Sequence, residues 1–188
     1  GHIKIGDKLK ILPQDKIVKV RGLQSHDKST NLIKIGDRGA INLHSLDKID
    51  ISRGNHLCSP DYINLTYSAI IKINILSRSK DKIKNNQRVR FLLGTQEVMA
   101  RLFLFEKKTE SKENIALIKF EKKIIACFKD KFIIRSYSPV VTIGGGTIID
   151  VNIYGKWKDN KNYSKELFAY KDDNAELVKL IIQNNKLK

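Results

Sequence analysis

Eight arginines, Arg21, Arg38, Arg53, Arg78, Arg88, Arg90, Arg101 and Arg135, are the residues of this chain best suited to anion chemistry. A planar guanidinium presents paired N–H groups to phosphate or carboxylate, whereas lysine offers a point charge. The formal net charge of +16 and a pI near 9.8 call for a polyanionic partner, nucleic acid first, because clustered cations gain affinity by releasing counterions. Lysine abundance carries less weight, since Ile, Lys and Asn crowd the chain together as codon usage alone produces. Other chemistry fails on spacing. Gly1, Gly6 and Lys8 evoke a phosphate loop, but Asp7 stands where its lysine is needed and no Ser or Thr follows to hold magnesium. Gly144-Gly145-Gly146 lacks the dinucleotide-binding spacing and reads as a bend between strands. Cys58 and Cys127 lie too far apart for a redox pair or half a zinc site and read as core thiols; His56 beside Cys58 is a chance pairing at a strand end. Four scattered histidines declare no triad, and Asp47 and Asp50 read as turn or cap residues. No catalytic centre, metal site or cofactor is expected within these residues.

The elements that must position the arginines are strands. Apolar residues alternate through Lys8–Ile11, Lys16–Leu23, Gly39–Leu43, Ala69–Leu76, Arg88–Leu93, Glu97–Phe105 and Asn114–Phe120. Between them fall turn signals such as Gly36-Asp37, Arg53-Gly54-Asn55, Asn85-Asn86, Gly94-Thr95 and the stretch from Lys107 to Glu113. Val98, Ala100, Leu102 and Leu104 share one face of their strand, and closing the sheet hides that face most economically. The spacing therefore predicts a mainly β chain of two antiparallel β-barrels followed by a short α-helical segment. Boundaries are expected near Ser59-Pro60-Asp61 and after Asp150, giving units over 1–60 and 61–152 and a linker with a first helix over 153–188. That helix runs from Ala175 behind a possible cap, Asn174. No apolar run approaches the roughly 18 residues of a membrane span, and the first residues lack a signal-peptide core. A cytoplasmic monomer with no membrane partner is expected, an organelle being the alternative location.

Six stretches carry a family resemblance. Val20-Arg21-Gly22-Leu23-Gln24-Ser25-His26, Ile35-Gly36-Asp37-Arg38-Gly39-Ala40-Ile41-Asn42-Leu43 and Ile51-Ser52-Arg53-Gly54-Asn55 resemble the second domain of translational GTPases. Gly1–Leu12 is similar to the part of that domain just after its first strands. Residues 87–101 (QRVRFLLGTQEVMAR) and 132–150 (FIIRSYSPVVTIGGGTIID) are similar to the third domain of the bacterial-type selenocysteine-specific elongation factor, and narrow the resemblance to that family.

The resemblance implies a GTP-dependent carrier that brings selenocysteinyl-tRNA to a ribosome paused at a recoded UGA codon. Winged helices beyond these residues would bind an mRNA hairpin, and GTP and magnesium would belong to a GTPase domain that these residues lack. The second domain's first strands would also be missing, leaving an open edge. Arg38 matches the family's arginine lining the selenocysteine pocket; taken alone it reads as a surface arginine in a turn. An ionised selenol differs from a serine hydroxyl by a charge that a guanidinium can read. Arg88, Arg90, Arg101 and Arg135 are implied contacts to the acceptor or T stem of tRNA, or else solvate an outward strand face. Two competing readings are a general translational GTPase and a basic structural β-barrel module.

Overall fold

The computed structural model describes residues 1–44, 51–62, 65–105, 113–151, 153, 157–170 and 173–186. Asp47 and Asp50, and most of the turn expected from Lys107 to Glu113, lie outside the described residues. Two compact units are present, Gly1–Leu65 and Thr66–Lys188. Among the described residues no helix is long and apolar enough to cross a membrane.

In the first unit, β1 (His2–Lys4) pairs antiparallel with β5 (Leu32–Lys34). A separate sheet runs in the order β4 (Lys28–Thr30), β3 (Lys16–Ser25), β2 (Lys8–Leu12), β7 (His56–Cys58), with β6 (Gly39–His44) also paired to β3. The described strands of this unit do not close into a barrel. Against β6 the register of β3 slips between Val20 and Gly22, leaving Arg21 as the extra residue of a bulge. The slip explains why burial passes from the even positions Val18 and Val20 to the odd position Leu23. These three pack with Leu9, Ile11 and Ile33 into the unit's core.

One turn recurs across both units. In Lys4–Asp7, Lys34–Asp37, Ser52–Asn55, Lys84–Gln87 and Cys127–Asp130, the fourth residue donates its backbone N–H to the first residue's carbonyl. Its side-chain oxygen accepts the first residue's N–H at 2.7–2.9 Å. The third residue has positive φ: Gly6, Gly36, Gly54, Asn86 and Lys129 respectively. The first two turns end the identical pentapeptides Ile3–Asp7 and Ile33–Asp37, whose Ile3 and Ile33 face each other across the β1–β5 ladder.

The second unit is a closed barrel in the order β10 (Gln96–Leu104), β11 (Glu113–Ile125), β8 (Leu65–Ile75), β13 (Thr142–Val151), β12 (Lys131–Ser136), β9 (Gln87–Leu93). Its interior is filled by residues such as Ile71, Ile73, Val89, Phe91, Leu102, Ile118 and Ile134, with Phe91 stacked on Phe132 at 4.8 Å and edge-on to Phe120 at 5.0 Å. A second cluster, Ile70, Ile115, Leu117 and Ile149, points the other way and packs under Tyr163 and Leu167 of α1 (Trp157–Ala169) and Leu177 of α2 (Asn174–Lys186).

Four sequence expectations are corrected. The stretch read as a linker contains α1, a helix in its own right. Its buried face carries Asn160, Tyr163, Ser164 and Leu167, so two polar residues interrupt what would otherwise be a legible apolar stripe. The cap of α2 is Asp173, not Asn174: its carboxylate accepts the Ala175 and Glu176 N–H groups at 2.9 and 3.1 Å. Gly144-Gly145-Gly146 is no bend but the middle of β13, paired to both β8 and β12. Cys58 and Cys127 are half-buried rather than core residues, and burial pushes the Cys58 thiol pKa up despite the opposing charge of Lys10.

Asp150, buried at the end of β13, ties the barrel to α1. Tyr163 donates its hydroxyl to Asp150 Oδ2 at 2.9 Å, and Val151 N–H donates to Oδ1 at 2.8 Å. Burial, then the Asp150 carboxylate, raise the Tyr163 pKa far above its ordinary value. The folded state thus holds this phenol neutral where the unfolded chain would ionise it. Stability from this group is full below about pH 10 and falls as pH rises above it. Tyr163→Phe is expected to cost about 1.5–3 kcal/mol at neutral pH, since a charge-accepting buried hydrogen bond is lost. It should also flatten the alkaline limb of a Tm-versus-pH profile; an unchanged limb would mean that Tyr163 titrates normally.

Candidate nucleic-acid interface

The period-two alternation of the barrel strands decides where the arginines point. Val89, Phe91, Ala100, Leu102 and Ile134 face the interior, so Arg88, Arg90, Arg101 and Arg135 face out. Strand order then gathers them: Arg88 on β9 is the register partner of Arg101 on β10, and Arg90 on β9 is the partner of Arg135 on β12. Lys119 on β11 extends the first row as the partner of Arg101. Like charges directly opposite one another cost a sheet stability, so packing alone gives no reason for this arrangement.

Two acidic side chains lie among them. Arg88 reaches over β10 to grip Glu121 of β11 with Nε and Nη2, each 2.7 Å from a separate carboxylate oxygen. This grip raises the Arg88 pKa and lowers that of Glu121. Arg90 makes a single 2.7 Å contact, Nη1 to Glu97 Oε1. The ring of Tyr137 lies beneath both, 4.8 Å from the Arg88 guanidinium carbon and 5.8 Å from that of Arg90. Its loop is pinned by Ser136, whose Oγ donates to the Pro139 carbonyl and accepts the Val141 N–H at 3.1 Å. Arg101 and Arg135 differ in kind. They donate to backbone carbonyls, Asn86 O and Val140 O, both at 3.4 Å, and among the described residues neither forms an ion pair with a carboxylate. The Nε atoms of Arg90 and Arg135 are buried without a partner. The four residues treated alike from sequence are therefore two that grip a carboxylate directly and two that hydrogen-bond only to backbone carbonyls.

Sequence reasoning missed Glu97, Glu121 and Tyr137. Tyr137 lies inside the quoted 132–150 stretch, and outward alternation marks Glu97 beside Val98, but Glu121 joins the site only through the pairing of β9, β10 and β11.

Arg38 belongs to the first unit. It follows the Lys34–Asp37 turn, its carbonyl accepts the Ser25 hydroxyl at 3.1 Å, and its side chain is exposed. The backbone under the guanidinium is thus fixed on both sides. Arg21 occupies the β3 bulge, Arg53 the Ser52–Asn55 turn and Arg78 the 3-10 turn Ser77–Lys82, all exposed. No group of three or more His, Cys, Asp or Glu able to hold a metal occurs among the described residues.

Residues 70–153, which include the barrel strands from β9 to β13 and most of β8, match the family model of the selenocysteine-specific elongation factor β-barrel domain. These residues belong to that domain family. The selenocysteine-specific elongation factor of Desulfomicrobium baculatum is 31% identical over 152 residues, covering 80% of this chain and 24% of its own length. The chain thus spans about a quarter of that relative. Sulfate adenylyltransferase subunit 1 of Francisella tularensis subsp. tularensis is 29% identical over 156 residues, covering 80% of this chain and 33% of its own. Overall identity therefore separates the two kinds of protein poorly, and the barrel-domain match makes the distinction. A crystal structure of a bacterial selenocysteine-specific elongation factor shares the fold with a TM-score of 0.78 at 22% identity, over 96% of this chain and 28% of that one. The arginine face thus lies on a selenocysteine-specific elongation factor barrel, a translation-factor domain.

Proposed function

We propose that this chain is the tRNA-binding part of a selenocysteine-specific elongation factor. Its first unit would correspond to domain II, its barrel to domain III, and its helices to the entry into a winged-helix region that engages an mRNA hairpin. GTP and magnesium would be bound, and GTP hydrolysed, by a domain outside these residues, and the whole would deliver selenocysteinyl-tRNA to the ribosome. The observation that carries this reading is the coincidence of the barrel-family match with four arginines on one outer face. Such a face suits the phosphates and 2′-hydroxyls of an A-form stem.

Within this reading Arg38 lines the selenocysteine pocket. A fixed, exposed guanidinium favours an ionised selenol over a neutral serine hydroxyl through a charge-assisted contact. In the protein carrying its GTPase domain and a GTP analogue, selenocysteinyl-tRNA should be protected from ester hydrolysis far better than seryl-tRNA. Arg38→Ala should reduce that preference roughly tenfold to a hundredfold, the equivalent of one charged hydrogen bond. Equal protection of both tRNAs in the unsubstituted protein would indicate a general translation factor, and protection of neither a basic structural module.

A further inference from the structure

We propose that the Nε/Nη2 edge of Arg88 is a seat for an RNA phosphate, occupied by the Glu121 carboxylate until the RNA backbone displaces it. This rests on the RNA-face reading above and assigns Glu121 the role of setting the affinity of that face.

The geometry of the pair is that of anion recognition. Two parallel N–H···O contacts of 2.7 Å from one guanidinium edge to two oxygens are the fork that arginine offers equally to carboxylate and phosphate. Glu121 comes from two strands away, so the contact is made at the tips of two long side chains across β10. Side-chain exposures of 40% for Arg88 and 38% for Glu121 leave the pair open to water and to an incoming phosphate, and exposed pairs of this kind hold weakly. The guanidinium does not depend on Glu121 for its position, because the Tyr137 ring supports its other side at 4.8 Å. When the carboxylate leaves, the plane stays presented.

The surroundings favour the exchange. Lys119, Arg101 and Arg88 form one cross-strand row, so three cations face a single carboxylate there and the row keeps a net positive field. Arg101 already helps hold Glu121 ionised and is at hand to receive it once a phosphate takes the fork. Arg90 lacks the equivalent fork, since Glu97 meets it through one nitrogen and is more exposed, at 47%. Its exchange would yield a looser seat. An acidic residue in this place lets the face bind a backbone that meets several cations at once while discouraging single anions.

The test uses the full 188-residue chain and a labelled RNA hairpin, with binding followed by fluorescence anisotropy over a series of salt concentrations. Glu121→Gln keeps the shape and a hydrogen-bond acceptor while removing the charge. It should bind three- to tenfold more tightly than the parent, with a salt slope steeper by about one. Arg88→Ala should cost little in the parent and abolish the gain in the Glu121→Gln background. Thermal melts check that each variant folds, and Glu97→Gln supplies a second charge-neutral substitution, expected to have a smaller effect. If Glu121→Gln binds no more tightly while Arg101→Ala still weakens binding, the phosphate seat is wrong and the RNA face stands. If the parent chain fails to bind the hairpin even at low salt, both are overturned.

Discussion

Replacing Gly146 by alanine is expected to cost the barrel about 3 kcal/mol, the upper end of overpacking penalties, and to lower its Tm by roughly 10 °C. The cause is close approach between strands. β13 lies between β8 and β12, and its three central residues, Gly144, Gly145 and Gly146, pair on both sides. A Cβ at Gly146 would overlap the Lys72 carbonyl oxygen; at Gly144 it would sit 2.6 Å from Asn74 O, and at Gly145 2.8 Å from Phe132 O. These neighbours are backbone atoms already fixed in ladders, so no side chain can rotate away. The strand must shift, and with it the seam that closes the barrel. Gly22→Ala in the first unit is the control, since its nearest neighbour would be the Asn42 Cβ at an ordinary 3.8 Å and a strand interior ordinarily gains from the change. Differential scanning calorimetry of the two variants measures this directly. A Gly146→Ala protein melting within a degree or two of the parent would show that the strands stand further apart than described.

How much was legible in the sequence follows from this strand. Alternation located β2, β3, β6 and β8 to β11 because each shows at least one face of regular apolar spacing. The triple glycine misled because glycine's commonest use is conformational freedom, whereas here it is the absence of a side chain between two backbones. A similar limit hid the helices' role. Ala69-Ile70-Ile71 and Ile115 to Ile118 are apolar at every position because odd and even residues serve different layers, barrel interior and helix-covered exterior. Periodicity sees only that such strands are buried, not what covers them. The helix that covers them, α1, disguises itself by burying Asn160 and Ser164.

The candidate site divides in the same way. Its arginines could be named from residue chemistry and the resemblance, but their meeting on one face needs β12 beside β9, a neighbourhood that chain order does not give. Nor does a linear sequence reveal that Glu121, some 30 residues beyond Arg88, is its partner. The paired glutamates are what turn four similar cations into two unlike kinds.

That division leads to the second large effect. Arg101→Ala with Arg135→Ala is expected to weaken binding of an RNA hairpin more than tenfold and to lower the salt slope by about 1.4–1.8, the release of counterions from two phosphate contacts. Arg88→Ala with Arg90→Ala removes the same formal charge, yet should lose less affinity, because each of those cations already spends part of its interaction on a carboxylate. Neither pair lines the barrel core, so both double variants should melt near the parent, apart from the contact with Tyr137 that the second pair gives up. Anisotropy titrations at matched salt decide the matter. Equal losses for the two pairs would mean that net charge alone governs binding, and the glutamates would then be bystanders. A larger loss for Arg101 and Arg135 would mean that the barrel binds RNA through the two guanidinium groups that no described carboxylate has claimed.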